Sequence, residues 1–295
     1  MKTIAVVVTY NRCSMLRECL ERLGKQNTPC DVLVVDNAST DDTPRVLEEM
    51  KRDGLFVLRM DTNTGGAGGY NAGMHWAAEK DYDCLWLMDD DTFVHEDSLQ
   101  ELLKAAEKLN GQFGWLSSRA MWTDGTPCAM NIQRKTPYTD IKDFSAPLIP
   151  SQMASFVSML IPVPVVHRFG YPIADFFIWS DDWEYARRIS RKLQCYVVTS
   201  SKVTHAMKNN TVVSIDNDTP ERMPRYSRFY RNDVYLYRRE GLAGWAWLIA
   251  KDCWHSLKVI KGSSPQKAAA LKTIWKGFRE GISFHPHVES GTEGK

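Results

Sequence analysis

The chain has 295 residues, 43% of them hydrophobic and 25% charged, with a formal net charge of +1. These are globular values for one large domain or two modest ones, and the near-zero charge gives no electrostatic case for a nucleic-acid partner. Seven scattered cysteines form no metal-binding spacing and read as reduced thiols in a cytoplasmic protein, and neither a secretory leader nor a membrane-spanning apolar run is evident.

In chain order, "TIAVVVTY" (3–10) predicts a strand buried on both faces. Leu16, Cys19, Leu20 and Leu23 recur at helical spacing. "DVLVVD" (31–36) predicts a second strand, and Thr43 with Pro44 predicts a helix capped by Thr43. "LFVLRM" (55–60) predicts a third strand, followed by a Gly-rich loop (64–69) and a helix over Tyr70–Glu79. "DCLWLMD" predicts a fourth strand, with Leu99, Leu102, Leu103 and Ala106 on the helix after it. This alternation predicts a mostly parallel α/β sheet flanked by helices. Strand-like runs at 113–121 and 153–161 flank a polar loop (134–150), then a helix near 182–192 and a strand near 194–199. From 222 onward the pattern is helical.

Ligands of open α/β sheets sit beyond the carboxyl ends of the strands. Here those ends read "TYNR", "DNAST", "NTGGAGGYNAG" and "MDDDT". Asp36 can accept hydrogen bonds from a nucleoside or serve as a turn residue. The glycines can approach a phosphate closely or form a tight loop. Asp89, Asp90 and Asp91 follow four apolar residues; strand alternation puts Asp89 and Asp91 on one side, where a divalent cation can sit between them. On this reading the compensating charge arrives with the ligand. In "FFIWSDDWEYARR" (176–188), Asp181 and Glu184 match a capping box. Asp182 is left over, and its aromatic neighbours favour a raised pKa suited to a general base. His205 is either a structural histidine or a third metal ligand.

These segments, together with "FYRND", resemble an inverting glycosyltransferase of family two with the GT-A (Rossmann-like) nucleotide-sugar fold, and within it the galactofuranosyltransferase and rhamnosyltransferase branch. The resemblance covers roughly residues 3–233. It implies that Thr9, Tyr10, Asn11, Arg12 and Asp36 hold the nucleoside, and that Asn63, Gly65 and Gly66 lie near the donor. It implies that Asp89, Asp91 and His205 bind Mn²⁺ or Mg²⁺, with Asp90 beside the donor. It makes Asp182 the catalytic base, with Trp179, Asp181 and Glu184 at the acceptor site. The implied reaction moves galactofuranose from UDP-galactofuranose to a glycan or lipid-linked acceptor of a bacterial surface polysaccharide, such as lipopolysaccharide or capsule. The alternatives are a rhamnosyltransferase using dTDP-rhamnose and a non-catalytic nucleotide-sugar-binding protein. A nucleotidyltransferase is disfavoured because "TYNRCS" lacks the glycines such enzymes place after the first strand. Polymerising members of the branch carry an additional N-terminal domain; with the first strand at residue 3, addition of one or a few sugars is the expectation.

The expected division is a catalytic domain over 1–220, a helical region over 221–284 and a disordered tail over 285–295. Residues 241–282 carry seven Lys/Arg and two Asp/Glu, a local charge of +5. Trp247, Ala250, Trp254 and Leu257 share a face, with Lys251, Lys258 and Lys261 elsewhere. This pattern suits either a packing helix or a peripheral contact with the inner face of the cell membrane.

Overall fold

A computed structural model describes residues 1–212, 214–262 and 265–290. Strand and helix alternate through β1 (Thr3–Thr9), α1 (Cys13–Leu23), β2 (Asp31–Asp36), α2 (Thr43–Glu49), β3 (Leu55–Arg59), α3 (Gly65–Ala78), β4 (Cys84–Asp89), β5 (Thr92–Val94), α4 (Ser98–Lys108) and β6 (Leu116–Met121). Four short strands follow: β7 (Arg134–Thr136), β8 (Thr139–Asp140), β9 (Leu148–Pro150) and β10 (Met159–Pro162). Next come α5 (Val163–Phe169), α6 (Asp181–Ser190) and β11 (Tyr196–His205). The helices α7 (Met223–Arg238), α8 (Gly241–Lys261) and α9 (Lys267–Ser283) form the C-terminal region.

One mixed sheet runs in the order β3-β2-β1-β4-β10-β6-β11-β5, with β9 also paired to β11. Its longest ladders are parallel, joining β1 to β2 and β4, β2 to β3, and β6 to β11. β10 inserts antiparallel between β4 and β6. The sheet is covered on both faces, as β1 shows. Ala5 and Val7 pack with Leu16 and Leu20 of α1 and Leu99 and Leu102 of α4. Ile4, Val6 and Val8 pack on the other side with Tyr70 and Met74 of α3 and Tyr185 and Ile189 of α6. The period-two alternation of a strand buried on both faces therefore builds two cores at once.

Four local expectations change. The glycines of 65–69 are helical, not a loop: α3 begins at Gly65. A side chain on Gly69 would stand 2.6 Å from Val8, and one on Gly73 2.7 Å from Val6 and Val35, so these glycines let the helix lie directly on β1 and β2. Thr43 is the first helical residue of α2, preceded by Asp42 at the cap position. The polar loop 134–150 contains the β7–β8 pair and β9. The tail is docked as far as Glu289, with the Tyr171 amide donating to the Glu289 carbonyl (3.2 Å) and Glu289 bonded to His75 (2.7 Å). Residues 291–295 of that tail lie outside the described residues.

Candidate active site

The polar ends of β1, β2 and β4 and the start of α3 meet at one edge of the sheet. At the end of β1, Thr9 Oγ1 donates to Asp90 (2.7 Å), and Arg12 Nη1 donates to Asp90 (3.2 Å) and Asp91 (2.5 Å). Part of the charge that compensates the aspartate triplet is thus in the chain already, contrary to the expectation that it arrives wholly with a ligand. Tyr10 is exposed. Asn11, in the left-handed region at φ 54°, accepts from the amide of Thr40 (2.7 Å), tying the end of β1 to the loop after β2. The Asp36 carboxylate is buried and engaged by Arg59 and by the Ser39 amide (2.8 Å).

Beside Asp36, the side chain of Asn37 accepts from the Thr64 amide (3.0 Å) and donates to the Gly65 carbonyl (2.8 Å). Asn63 accepts from the Gly65 amide (2.8 Å). These bonds fix the N-terminus of α3, where Gly66 faces open space.

After β4 the chain turns sharply into β5, and the three aspartates diverge. Asp89 accepts from the Tyr70 hydroxyl (2.7 Å), Asp90 faces Thr9 and Arg12, and Asp91 faces His205. The β5–β11 ladder sets His205 opposite Thr92, which brings its ring to Asp91 (Nε2 to Oδ1, 3.1 Å). Ligand atoms of Asp89, Asp91 and His205 lie within 4.8 Å of one another. Two carboxylates and an imidazole form a donor set that fits Mn²⁺ or Mg²⁺. His205 Nδ1 bonds to Asn131 Oδ1 (2.8 Å), and Asn131 Nδ2 donates to Ser155 (2.8 Å), so Nδ1 carries the proton and Nε2 faces the carboxylates. Burial opposes charge on all of these groups. Asp89 is raised by burial and by Asp91. Asp90 is pushed by burial up to about 7 despite Arg12. For Asp91, His205 and Arg12 outweigh burial and hold the carboxyl down to about 2. For His205, burial lowers the pKa, but the bonds to Asp91 and Cys128 and the charges of Asp91 and Asp89 together lift the imidazole to about 10.

The second half of the site is the turn entering α6. Phe177, Trp179 and Ser180 occupy the left-handed region (φ 64°, 65° and 64°), a conformation costing non-glycine residues about 1–3 kcal/mol each. The turn delivers Asp181 and Asp182 to the first turn of the helix. Asp181 is buried and pushed up to about 7 by burial, with Asp89 and Glu184 adding negative charge. Asp182 is raised well above the carboxylate range by burial, then by Asp181 and Asp89, although its carboxylate accepts from the Trp183 amide (2.7 Å). The two halves meet through α3, whose Ala67 amide donates to the Phe177 carbonyl (3.2 Å) and whose Tyr70 hydroxyl donates to Asp89 (2.7 Å). Trp179 packs against Tyr226 and Phe229. Glu184 does not close a capping box: Ser180 occupies the cap position, and the Glu184 carboxylate is buried in ion pairs with Arg188 (2.5 Å) and Arg239 (3.3 Å).

Several contributors carried no role in the sequence reading. Asn37 lay inside "DNAST" and Tyr70 inside the glycine motif, but nothing in spacing shows that they latch Gly65 and Asp89. Arg59, Asn131 and Ser155 come from unremarkable segments. Asn232 and Asp233 lay in "FYRND" without an assigned part.

The model of the Glycosyl transferase family 2 matches residues 4–157. An undecaprenyl-phosphate mannosyltransferase of Micrococcus luteus is 36% identical over 110 residues, 36% of this chain and 44% of that protein. The galactofuranosyltransferase GlfT1 of Mycobacterium tuberculosis is 30% identical over 196 residues, 63% of this chain and 64% of that one. Its counterpart in Mycolicibacterium smegmatis is 25% identical over 274 residues, 84% and 90% of the two chains. The chain thus spans less than two thirds of the length of the first two relatives. Among solved structures, Staphylococcus aureus TarS superposes with a TM-score of 0.57 at 16% identity, covering 96% of this chain and 44% of that one. The mannosyltransferase PcManGT of Pyrobaculum calidifontis, in complex with GDP-Man and Mn²⁺, gives 0.57 at 14% identity, covering 96% and 76%.

Proposed function

Because the chain belongs to glycosyl transferase family 2 and is a glycosyltransferase, we propose that it transfers galactofuranose from UDP-galactofuranose to a glycan or lipid-linked acceptor with inversion, using Asp182 as general base. The observation that carries this reading is the pairing of two unlike acidic sites at one sheet edge. Asp89, Asp91 and His205 converge as a cation site, and α3 joins it to the turn that bears Asp182, with Tyr70 on Asp89 (2.7 Å) and the Ala67 amide on the Phe177 carbonyl (3.2 Å).

Asp89, Asp91 and His205 would hold Mn²⁺ or Mg²⁺, whose charge, when bound, offsets that of a diphosphate and its departure. Thr9, Tyr10, Asn11, Arg12 and Asp36 line the end where the nucleoside would lie, with Asn63, Gly65, Gly66 and Asp90 beside the donor. Arg12, half-exposed over Asp90 and Asp91, is placed to shift toward a phosphate when a cation takes over those carboxylates. Asp182 takes the proton of an acceptor hydroxyl as its oxygen attacks the anomeric carbon. The bond to the nucleoside diphosphate breaks on the opposite face, so one displacement inverts the configuration. A raised pKa suits Asp182 to receive that proton. Trp179 offers the acceptor sugar an aromatic face, and Asp181 neighbours the base. Glu184, locked between Arg188 and Arg239, orients α6 below the acceptor site. The two galactofuranosyltransferase relatives support the choice of sugar.

No helix among the described residues is long and apolar enough to cross a membrane. The outer face of α8 nevertheless exposes Leu242, Trp247, Ile249, Trp254, Leu257 and Ile260 beside Lys258 and Lys261, which supports peripheral attachment at the inner face of the cell membrane. Lys251, expected among those cations, turns inward to Asp233.

A thermal-unfolding screen of UDP- and dTDP-sugars with and without Mn²⁺ tests the donor. UDP-galactofuranose with Mn²⁺ gives the largest rise in Tm; a larger rise with dTDP-rhamnose or UDP-N-acetylglucosamine contradicts the assignment.

A further inference from the structure

The turn at 177–180 bears three non-glycine residues in the left-handed region. Its own residues do not favour that conformation, so the surroundings must impose it. The fixing groups come from both sides. On the sheet side, the Ala67 amide of α3 donates to the Phe177 carbonyl (3.2 Å). On the other side, the Asn232 amide nitrogen faces the carbonyls of Phe176 (3.1 Å), Ile178 (3.2 Å) and Trp179 (2.9 Å). Asn232 is fully buried. Its amide orientation is set by Arg231, which donates to Oδ1 from Nε (3.1 Å) and Nη2 (2.9 Å) and also binds the Asp175 carbonyl (2.6 Å).

The next residue extends the hold. Asp233 accepts from the Ser180 hydroxyl (2.7 Å) at the cap of α6. Buried Asp233 is in turn paired with Lys251 of α8, whose Nζ also stands 3.3 Å from Asp252. Every backbone carbonyl from Phe176 to Trp179 thus has a fixed partner, and the residue that caps α6 is tied through one carboxylate to a C-terminal helix.

We propose that Asn232 and the Asp233–Lys251 pair are positioning residues that hold the 177–180 turn, and with it Asp182, in place, making α7 and α8 part of the catalytic unit. This rests on the reading of Asp182 as base. None of the three residues needs to touch a substrate; they act through the turn. A shift of about 1 Å in a reacting group can lower a rate on the order of 100-fold.

The test uses the full chain with UDP, Mn²⁺ and UDP-galactofuranose. In Asn232→Ala, amide hydrogen exchange across 177–183 accelerates by about ten-fold or more while β1, β2 and β4 keep their protection. UDP affinity stays within about two-fold, and hydrolysis of UDP-galactofuranose to UDP and galactose, with water in the acceptor's place, falls on the order of 100-fold. Unchanged exchange at 177–183, or undiminished turnover with a loosened turn, overturns the proposal. Should Asn232→Ala fail to fold, Lys251→Met supplies the test by stranding the Asp233 charge beside Ser180. Its turnover drops about ten-fold or more, and Asp233→Asn added to it restores turnover to within about three-fold, because an amide still accepts the Ser180 hydroxyl. A double variant no better than the single one overturns the proposal. If instead Asp182→Asn retains full turnover, the base reading fails, while the exchange result still decides whether the clamp holds the turn.

Discussion

The carbonyl oxygen of Phe177 occupies the space that a side chain on Gly65 would need, 2.0 Å from the position of its β-carbon. The first residue of α3 and the turn before Asp182 are therefore in direct backbone contact. The glycine motif that opens α3 and the turn that leads to Asp182 are two faces of one packing arrangement. Gly65 also has φ 73°, so it is constrained twice.

Substituting Gly65 with Ala should destabilise the protein by more than about 2 kcal/mol in urea unfolding, because strain and the Phe177 carbonyl act together. Gly66→Ala, which meets nothing within 4 Å, should change stability by less than about 0.5 kcal/mol. Equal effects at the two positions would contradict the packing role of Gly65.

Cation binding should raise stability through Asp89, Asp91 and His205. At a Mn²⁺ concentration of 100 times the dissociation constant, the gain is about 2.7 kcal/mol. In Asp91→Asn and His205→Ala the Mn²⁺-dependent rise in Tm should vanish. Comparing each variant with and without Mn²⁺ separates this loss from the disturbed contact with Arg12. A retained rise would place the ion elsewhere.

The pH dependence of stability has a definite sign at Asp181. Its folded pKa of about 7 lies above its ordinary value of 3.8, so the folded protein holds a proton that the unfolded chain has lost. Stability from this group is full below about pH 4 and is lost as pH rises through about 7. Metal-free Asp181→Asn should therefore exceed the wild-type melting temperature by more at pH 8 than at pH 5, by about 2–4 °C per kcal/mol recovered. Half-buried His255, depressed to about 4, acts in the opposite direction on acidification, but it contributes equally to both proteins. A difference that is the same at both pH values would show that Asp181 does not titrate in this range.

Binding to vesicles should depend on the outer face of α8. Trp254 and Leu257 are 57% and 47% exposed. Replacing both with Ser should weaken binding to anionic vesicles by roughly 3 kcal/mol, and added salt should weaken the wild type. Co-sedimentation measures both, and binding that ignores the double substitution would locate the contact elsewhere.

The convergence of the candidate residues at one edge was legible in the sequence because a parallel sheet gathers strand ends. Thr9, Asp36 and Asp89 each close an apolar run, and the doubly wound pattern brings such ends to one edge. His205 could be placed only as an alternative, since its approach to Asp91 depends on the β5–β11 register. The glycine segment is helical where a loop is expected, because glycine alone does not distinguish a loop from a helix pressed against Val6, Val8 and Val35. Arg12 and Lys251 were placed on ligand and membrane; their carboxylate partners are distant in sequence. Asn232 was out of reach for a related reason. Its partners are backbone carbonyls, which leave no mark in residue identity.

The most direct measurement is the rate at which Asp182→Asn hydrolyses UDP-galactofuranose to UDP and galactose, with water standing in for the acceptor hydroxyl and UDP affinity measured in the same preparation. The account predicts a loss of about 100- to 10,000-fold in rate with UDP affinity unchanged. A folded, UDP-binding Asp182→Asn protein that turns over at the wild-type rate would contradict it.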